Sequence, residues 1–138
     1  MKSTRIQALL AAFLLPLVAS AADLQVTVLE GPATPAVLYL ALFDSEDALA
    51  RNQALRSQKV DLRDGAAEVT FQGLSAGRYA IKSFADENHN AKLDTNILGL
   101  PTERYGFSNN AMGRMGPPTF DAAAVEVDTD ISITIRLR

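Results

Sequence analysis

Four large aliphatic side chains recur at every second position in Ile131-Ser132-Ile133-Thr134-Ile135-Arg136-Leu137. A period of two sets Ile131, Ile133, Ile135 and Leu137 on one face of an extended strand, and Ser132, Thr134, Arg136 and Arg138 on the other. A helix would scatter the four aliphatic residues around its axis. This segment must therefore be β-structure with an apolar layer to lie against.

The same period runs through most of the chain. Leu24, Val26 and Val28 alternate with Gln25, Thr27 and Leu29 until Gly31-Pro32 ends the strand. Ala36–Phe43 is a continuous apolar run between Pro35 and Asp44, of the right length for a central strand. Residues 59–62 and 67–71 flank Arg63-Asp64-Gly65, and Asp-Gly is a strong hairpin signal. Leu74-Ser75-Ala76-Gly77 turns tightly into residues 78–84, where Tyr79, Ile81 and Ser83 alternate with Ala80, Lys82 and Phe84. A last pair of strands, 124–127 and 131–137, surrounds Asp128-Thr129-Asp130. Helical spacing occurs only at 45–55, where Ser45 suits an N-cap and Glu46 and Asp47 suit a first turn. About seven short strands with turn chemistry between them predict an all-β fold, an antiparallel β-sandwich. A closed barrel is the rival architecture.

The first residues read as an address rather than as fold. Lys2 and Arg5 precede an apolar run from Ala8 to Val18, and Ala19-Ser20-Ala21 fits cleavage after Ala21. That run is shorter than the roughly 20 apolar residues a membrane span needs. The expected organisation is a signal peptide at 1–21 and one domain at 22–138, secreted or periplasmic, with no transmembrane segment after cleavage. With Lys2 and Arg5 removed, 11 basic residues face 16 acidic ones, a net charge of −5. No basic stripe suits nucleic acid. The chain has no Cys, so an exported domain of this kind is held by its core, or by its core and a bound ion.

Residues 86–120 break the pattern. This stretch is rich in Asn, Asp, Gly and Pro, contains the chain's one His, and has no sustained period. Loops of that length within one domain are usually functional or disordered. Its interleaved Leu93, Ile97, Leu98, Leu100, Tyr105 and Phe107 argue against mere linker. Asp86, Asn88, Asn90 and Asp94 stand at even offsets, the spacing by which a chain wraps oxygens around a hard cation such as Ca²⁺. On that reading Asp86, Asn88 and Asn90 supply side-chain oxygens, Lys92 its carbonyl, and Asp94 binds directly or through water. Glu87, Asn96 or Glu103 would complete the shell, and Leu93 would pin the loop to the core. Ala91 stands where an EF-hand loop wants Gly, Ile97 where it wants a bidentate Glu, and no helices flank the run, so this is not an EF-hand. The competing arrangement is a chain of Asx-turns, in which Asn and Asp bond their own backbone without metal.

No catalytic residue is assigned. His89 is expected at a solvent-facing loop tip, and Ser83 and Ser108 lack an evident activating partner. Glu103, Tyr105, Phe107, Asn109 and Asn110 form a candidate ligand surface, since rings and amide edges suit sugars or peptides. The alternative is that the two aromatics cover an open end of the sandwich while the amides satisfy loop backbone.

Three runs, Gly77-Arg78-Tyr79-Ala80-Ile81, Phe84-Ala85-Asp86-Glu87-Asn88 and Lys92-Leu93-Asp94-Thr95-Asn96, resemble the DUF2141 family of uncharacterised exported bacterial proteins. Gly99–Glu103, Tyr105–Asn110 and Pro117-Pro118-Thr119-Phe120 continue the resemblance. It implies a secreted β-sandwich loosely like transthyretin and carboxypeptidase regulatory modules, and implies no activity. Where the family usually has Gly, this chain has His89 and Ala91, which implies a stiffer loop. The expected function is a non-catalytic binding or accessory module, monomeric, with an unknown protein or carbohydrate ligand and Ca²⁺ bracing the 86–96 loop. The alternatives are a hydrolase using Asp86, Asp94 and Glu103, or a structural protein pairing through an edge strand such as the last one.

Overall fold

The computed structural model describes residues 19–138. The expected signal peptide therefore lies, up to position 18, outside the described residues. The elements are β1 (Ala21–Leu29), β2 (Ala36–Phe43), α1 (Glu46–Ala50), β3 (Arg56–Leu62), β4 (Ala67–Ser75), β5 (Gly77–Asp86), β6 (Tyr105–Phe107), α2 (Phe120–Ala123), β7 (Val125–Val127) and β8 (Ile131–Arg136). Two open sheets form a β-sandwich. One has the order β4-β1-β8, the other β3-β2-β5-β6, with β7 joined to the start of β5. Among the described residues no helix is long and apolar enough to cross a membrane.

The period-two faces meet in the middle. Leu24, Val26 and Val28 of β1 oppose Leu38, Leu40 and Leu42 of β2, and all six are buried. Phe71, Leu74, Ile81, Ile135 and Leu137 complete this core. Each such side chain contributes about 1.5–3 kcal/mol by leaving water, which suits a chain without disulfides.

Two expectations about connectivity are corrected. The Asp-Gly turn forms, with Arg63 bridged to Ala66 and positive φ at Asp64 (51°) and Gly65 (73°). Beyond it, however, β3 joins β2 while β4 joins β1. The turn is a corner between sheets rather than the end of a long hairpin. Likewise β7 and β8 do not pair with each other: β7 adds to β5, and β8 runs parallel to β1 from Leu24↔Ile131 to Leu29↔Arg136. The sandwich is thus not wholly antiparallel. Strand periodicity reveals which face is apolar and says nothing about the direction of the neighbour.

The sheets are stitched along both margins. At the β3/β4 corner the Arg56 guanidinium donates to the Gln72 carbonyl, and Gln58 Nε2 donates to the Thr70 carbonyl at 2.9 Å. At the other margin Tyr105 and Arg138 exchange backbone bonds of 3.1 and 3.0 Å. These seams satisfy backbone groups that a free edge would expose. As expected, Ser45 caps α1, its Oγ accepting from Ala48 N at 3.1 Å.

Candidate functional site

β5 carries the site. Its inward residues Tyr79, Ile81, Ser83 and Ala85 are buried, while Lys82 and Phe84 belong to the outer face. Asp86, the last residue of β5, shares that outer face and is 1% exposed. Its carboxylate accepts from Ala91 N at 2.9 Å and from Asn90 N at 3.3 Å, drawing the chain into a tight coil. Asn88 Oδ1 accepts from Asn90 N at 3.2 Å, and Asn90 Oδ1 from Lys92 N at 3.0 Å. These are Asx-turns in sequence. The amides of Asn88 and Asn90 both donate to the Asp94 carboxylate, at 2.5 and 2.8 Å.

Glu103 clamps the coil at both ends: Oε1 accepts from Glu87 N and Oε2 from Asp94 N, each at 3.1 Å. Residues 95–101 then make a small closed turn. Thr95 bridges Pro101, and Asn96 Oδ1 accepts from Leu98 N at 2.9 Å and from Leu100 N at 3.1 Å. The consequence is unusual: the polar side chains of the loop bind its own backbone and one another, and the large apolar side chains of residues 97–100 face water. Ile97 is 102% exposed, Leu98 77% and Leu100 57%.

The side chains of Asn88, Asn90 and Asp94 converge, with Asp86 at the base of the same coil, but Asn88 and Asn90 present their amide nitrogens to the Asp94 carboxylate while their oxygens accept from backbone N–H groups. Carboxylate and amide oxygens are the ligands a hard cation prefers, and the two amides would have to turn over to offer theirs toward Asp94. The Lys92 N–H is bound to Asn90 Oδ1. In this structure the same groups close the loop by hydrogen bonds. Among the described residues no group of three or more His, Cys, Asp or Glu side chains is disposed to hold a metal ion. His89 is exposed, with φ of 59°.

The five residues singled out as a ligand surface have structural work. Glu103 is the clamp just described. Tyr105 and Phe107 lie in β6, their rings edge to face at 6.4 Å. Asn109 Nδ2 donates to the carbonyls of Ala122 and Ala124, and Asn110 Oδ1 accepts from Arg136 N at 2.8 Å. Ser108 is wholly buried, accepting from Ile81 N and donating to the Ala123 carbonyl, while Ser83 donates to the Gly106 carbonyl. Both hydroxyls are engaged inside the fold, away from the exposed His89.

A feature not foreseen lies on the outer face of the larger sheet. Cross-strand neighbours Tyr39 and Phe84 stack at 5.2 Å with rings 9° from parallel. Beside them Lys82 is half-buried, and burial lowers its pKa below the ordinary lysine value of 10.5. A groove of about 380 Å³ opens here, lined by Tyr39, Phe84, Asn52, Ser57, Lys82 and Lys92 among others. Ala91 and Leu93 of the loop form part of its wall. A second groove of about 300 Å³, bounded by Leu49, Phe107, Pro117 and Pro118, shares Asn52 and Lys82 with the first. The signal was present in sequence: Lys82 is the one charge in the run Tyr79–Phe84, between outer-face apolar neighbours Ala80 and Phe84.

Residues 26–134 match the model of a family described as an uncharacterized protein conserved in bacteria, DUF2141. The chain belongs to the DUF2141 family. Neither a search of curated proteins nor one of solved structures gives a match. The matched span begins inside β1 and ends inside β8, so family membership covers both sheets of this DUF2141 chain as well as the loop between β5 and β6.

Proposed function

We propose that this DUF2141 protein is an exported, non-catalytic recognition module whose 86–103 loop docks a partner through the apolar tip Ile97-Leu98-Leu100. The observation that carries this is the inversion of the loop's chemistry. Fixing loop backbone costs about 1–2 kcal/mol per residue in entropy, and here it leaves three large apolar side chains in water. Exposed apolar groups on an ordered element suit an interface, where their burial is recovered. The partner chemistry that fits such a tip is an apolar pocket on another protein.

Calcium enters as a brace. Asp86, Asn88, Asn90, Asp94 and the Lys92 carbonyl would hold Ca²⁺ with only two carboxylates in the set, which suits the weak extracellular range of about 10⁻⁴–10⁻³ M. The ion would take the place of the amide N–H groups that Asn88 and Asn90 now direct at the Asp94 carboxylate, and would fix the tip. Melting curves in millimolar Ca²⁺ and in EDTA test the brace, since a ligand of the folded form alone raises the melting temperature. Coincident curves would remove it. A photo-crosslinker at Leu98 tests the tip. It should trap one discrete envelope protein, and that product should vanish when Ile97 and Leu100 are both changed to Ser. Trapping that survives those changes would overturn the docking role.

A further inference from the structure

We infer that the groove on the outer face of the larger sheet binds a small organic monocarboxylate, its ring resting on Tyr39 and Phe84 and its carboxylate meeting Lys82 and Asn52. This site is separate from the loop tip, although Ala91, Lys92 and Leu93 of the coil form part of its wall.

The argument begins with charge. The chain is net negative, at −3, yet the first groove is lined by two lysines, Lys82 and Lys92, and by no carboxylate. Among the described residues ion pairs join Arg51 to Asp47, Arg78 to Asp121 and Arg136 to Glu30. None includes Lys82. Its ammonium meets only Asn52 Oδ1, at a long 3.5 Å. A half-buried ammonium loses hydration, and among the described residues no carboxylate stands at ion-pair distance to restore it. In the second groove the Glu46 carboxylate shares the lining with Lys82, but it is held by Phe120 N at 2.7 Å and makes no ion pair with the lysine. The compensating anion is therefore sought outside the chain.

Shape and surface select the rest of the ligand. At about 380 Å³ the groove is near the lower end of small-molecule sites, which run about 300–1,000 Å³. The stacked pair offers its uncovered ring surface to an apolar ring, and Asn52 and Ser57 offer polar groups at the margin. A carboxylate on Lys82 places the attached body either over Tyr39 and Phe84 or toward Leu49 and Pro118. The ring-matched choice is the first. Two kinds of compound share this chemistry, aromatic acids and sugar acids.

The experiment titrates ¹⁵N,¹³C-labelled protein with phenylacetate and with galacturonate, each against its uncharged counterpart, phenylacetamide or galactose. Shifts are followed at the Lys82 ε-methylene and at the Tyr39 and Phe84 rings. Binding by phenylacetate alone identifies an aromatic-acid site, and binding by galacturonate alone a sugar-acid site. In either case Lys82→Met should weaken the acid at least roughly tenfold, equal to about 1.4 kcal/mol, while Lys82→Arg retains it in part. Thermal melts of both variants confirm that they are folded. The inference is overturned if neither acid moves those resonances at about 10 mM, a limit weaker than the millimolar range. It is equally overturned if the neutral counterpart binds as well as its acid, or if Lys82→Met binds like wild type. Running each titration in EDTA separates failure here from failure of the calcium brace.

Discussion

Replacing Ala91 by glycine should stabilise this protein, although glycine substitutions ordinarily do the reverse. Ala91 has φ of 60°, in the left-handed region where an L-residue's Cβ crowds the following carbonyl at a cost of about 1–2 kcal/mol. Glycine removes that cost but gives the unfolded chain more freedom, which returns about 0.4–1 kcal/mol to the unfolded side. The methyl of Ala91 is exposed, so little burial is lost with it. The Ala91 N–H to Asp86, at 2.9 Å, belongs to the backbone and survives the change. The net expectation is a gain of about 0.8 kcal/mol from the middle of the two ranges. Urea unfolding in EDTA should show a midpoint shift of about 0.3–0.8 M for an m-value of about 1–3 kcal/mol/M. Ala76→Gly is the control, because Ala76 is an exposed turn residue without positive φ. It should lose stability by the entropy term alone. If Ala91→Gly falls as Ala76→Gly does, the loop is not held in the coil described here. His89→Gly should gain less, since histidine tolerates the left-handed region better than alanine.

Gly106→Ala should cost about 1–3 kcal/mol by overpacking, because an added Cβ would stand 2.8 Å from Ile135 Cγ2 and 3.0 Å from the Arg136 carbonyl; amide exchange at Tyr105 and Arg138 should accelerate with it. Asp86→Ala should cost about 2–3 kcal/mol, the range for losing a charge-assisted bond and leaving a donor unpaired, since Ala91 N has no second acceptor while Asn90 N keeps Asn88. A loss below about 0.5 kcal/mol in urea unfolding, the ordinary surface range, would refute the anchoring role. Lys82→Met should raise stability at neutral pH. Burial lowers the folded-state pKa of Lys82 below 10.5, so between the two values the unfolded chain holds more protons and wild-type stability rises with pH. The advantage of Lys82→Met over wild type should therefore shrink as pH approaches 10.5, in paired unfolding curves at neutral and alkaline pH.

The strands were legible because their inward faces carry an uninterrupted aliphatic register, as at Leu24-Val26-Val28 and Ile131-Ile133-Ile135. Two features of the loop were not. Tyr105-Gly106-Phe107 is too short to show a period, and it becomes β6 only because β5 and Arg138 offer it partners. The helix α2 is a single turn capped by Thr119 Oγ1 and seated by Phe120, a tertiary outcome rather than a helical pattern. In the candidate site, the even-spaced Asp and Asn residues were visible as a coil. Their partners were visible only in part, because Glu103 reaches back sixteen residues to Glu87. The groove was missed for a different reason. Alternation in Tyr79–Phe84 assigns Lys82 to the wet face of a half-buried strand, whereas that face is roofed on both sides.

That double roofing is what makes one sheet able to carry two kinds of surface. At the β7 end, Phe120 and Ala123 of α2 cover Ala80 and Phe107, forming a second small core on the outer face. At the Asp86 end, Ala91 and Leu93 of the loop line the same groove as Tyr39 and Phe84. Between the two covers lies an interval of outer face centred on Lys82. The Asp86–Ala91 bond therefore shapes the loop tip and the groove wall together. A change confined to the coil, such as Ala91→Gly, should alter the Tyr39 and Phe84 ring resonances even though it touches neither strand. A groove formed by the sheet alone would leave them unmoved.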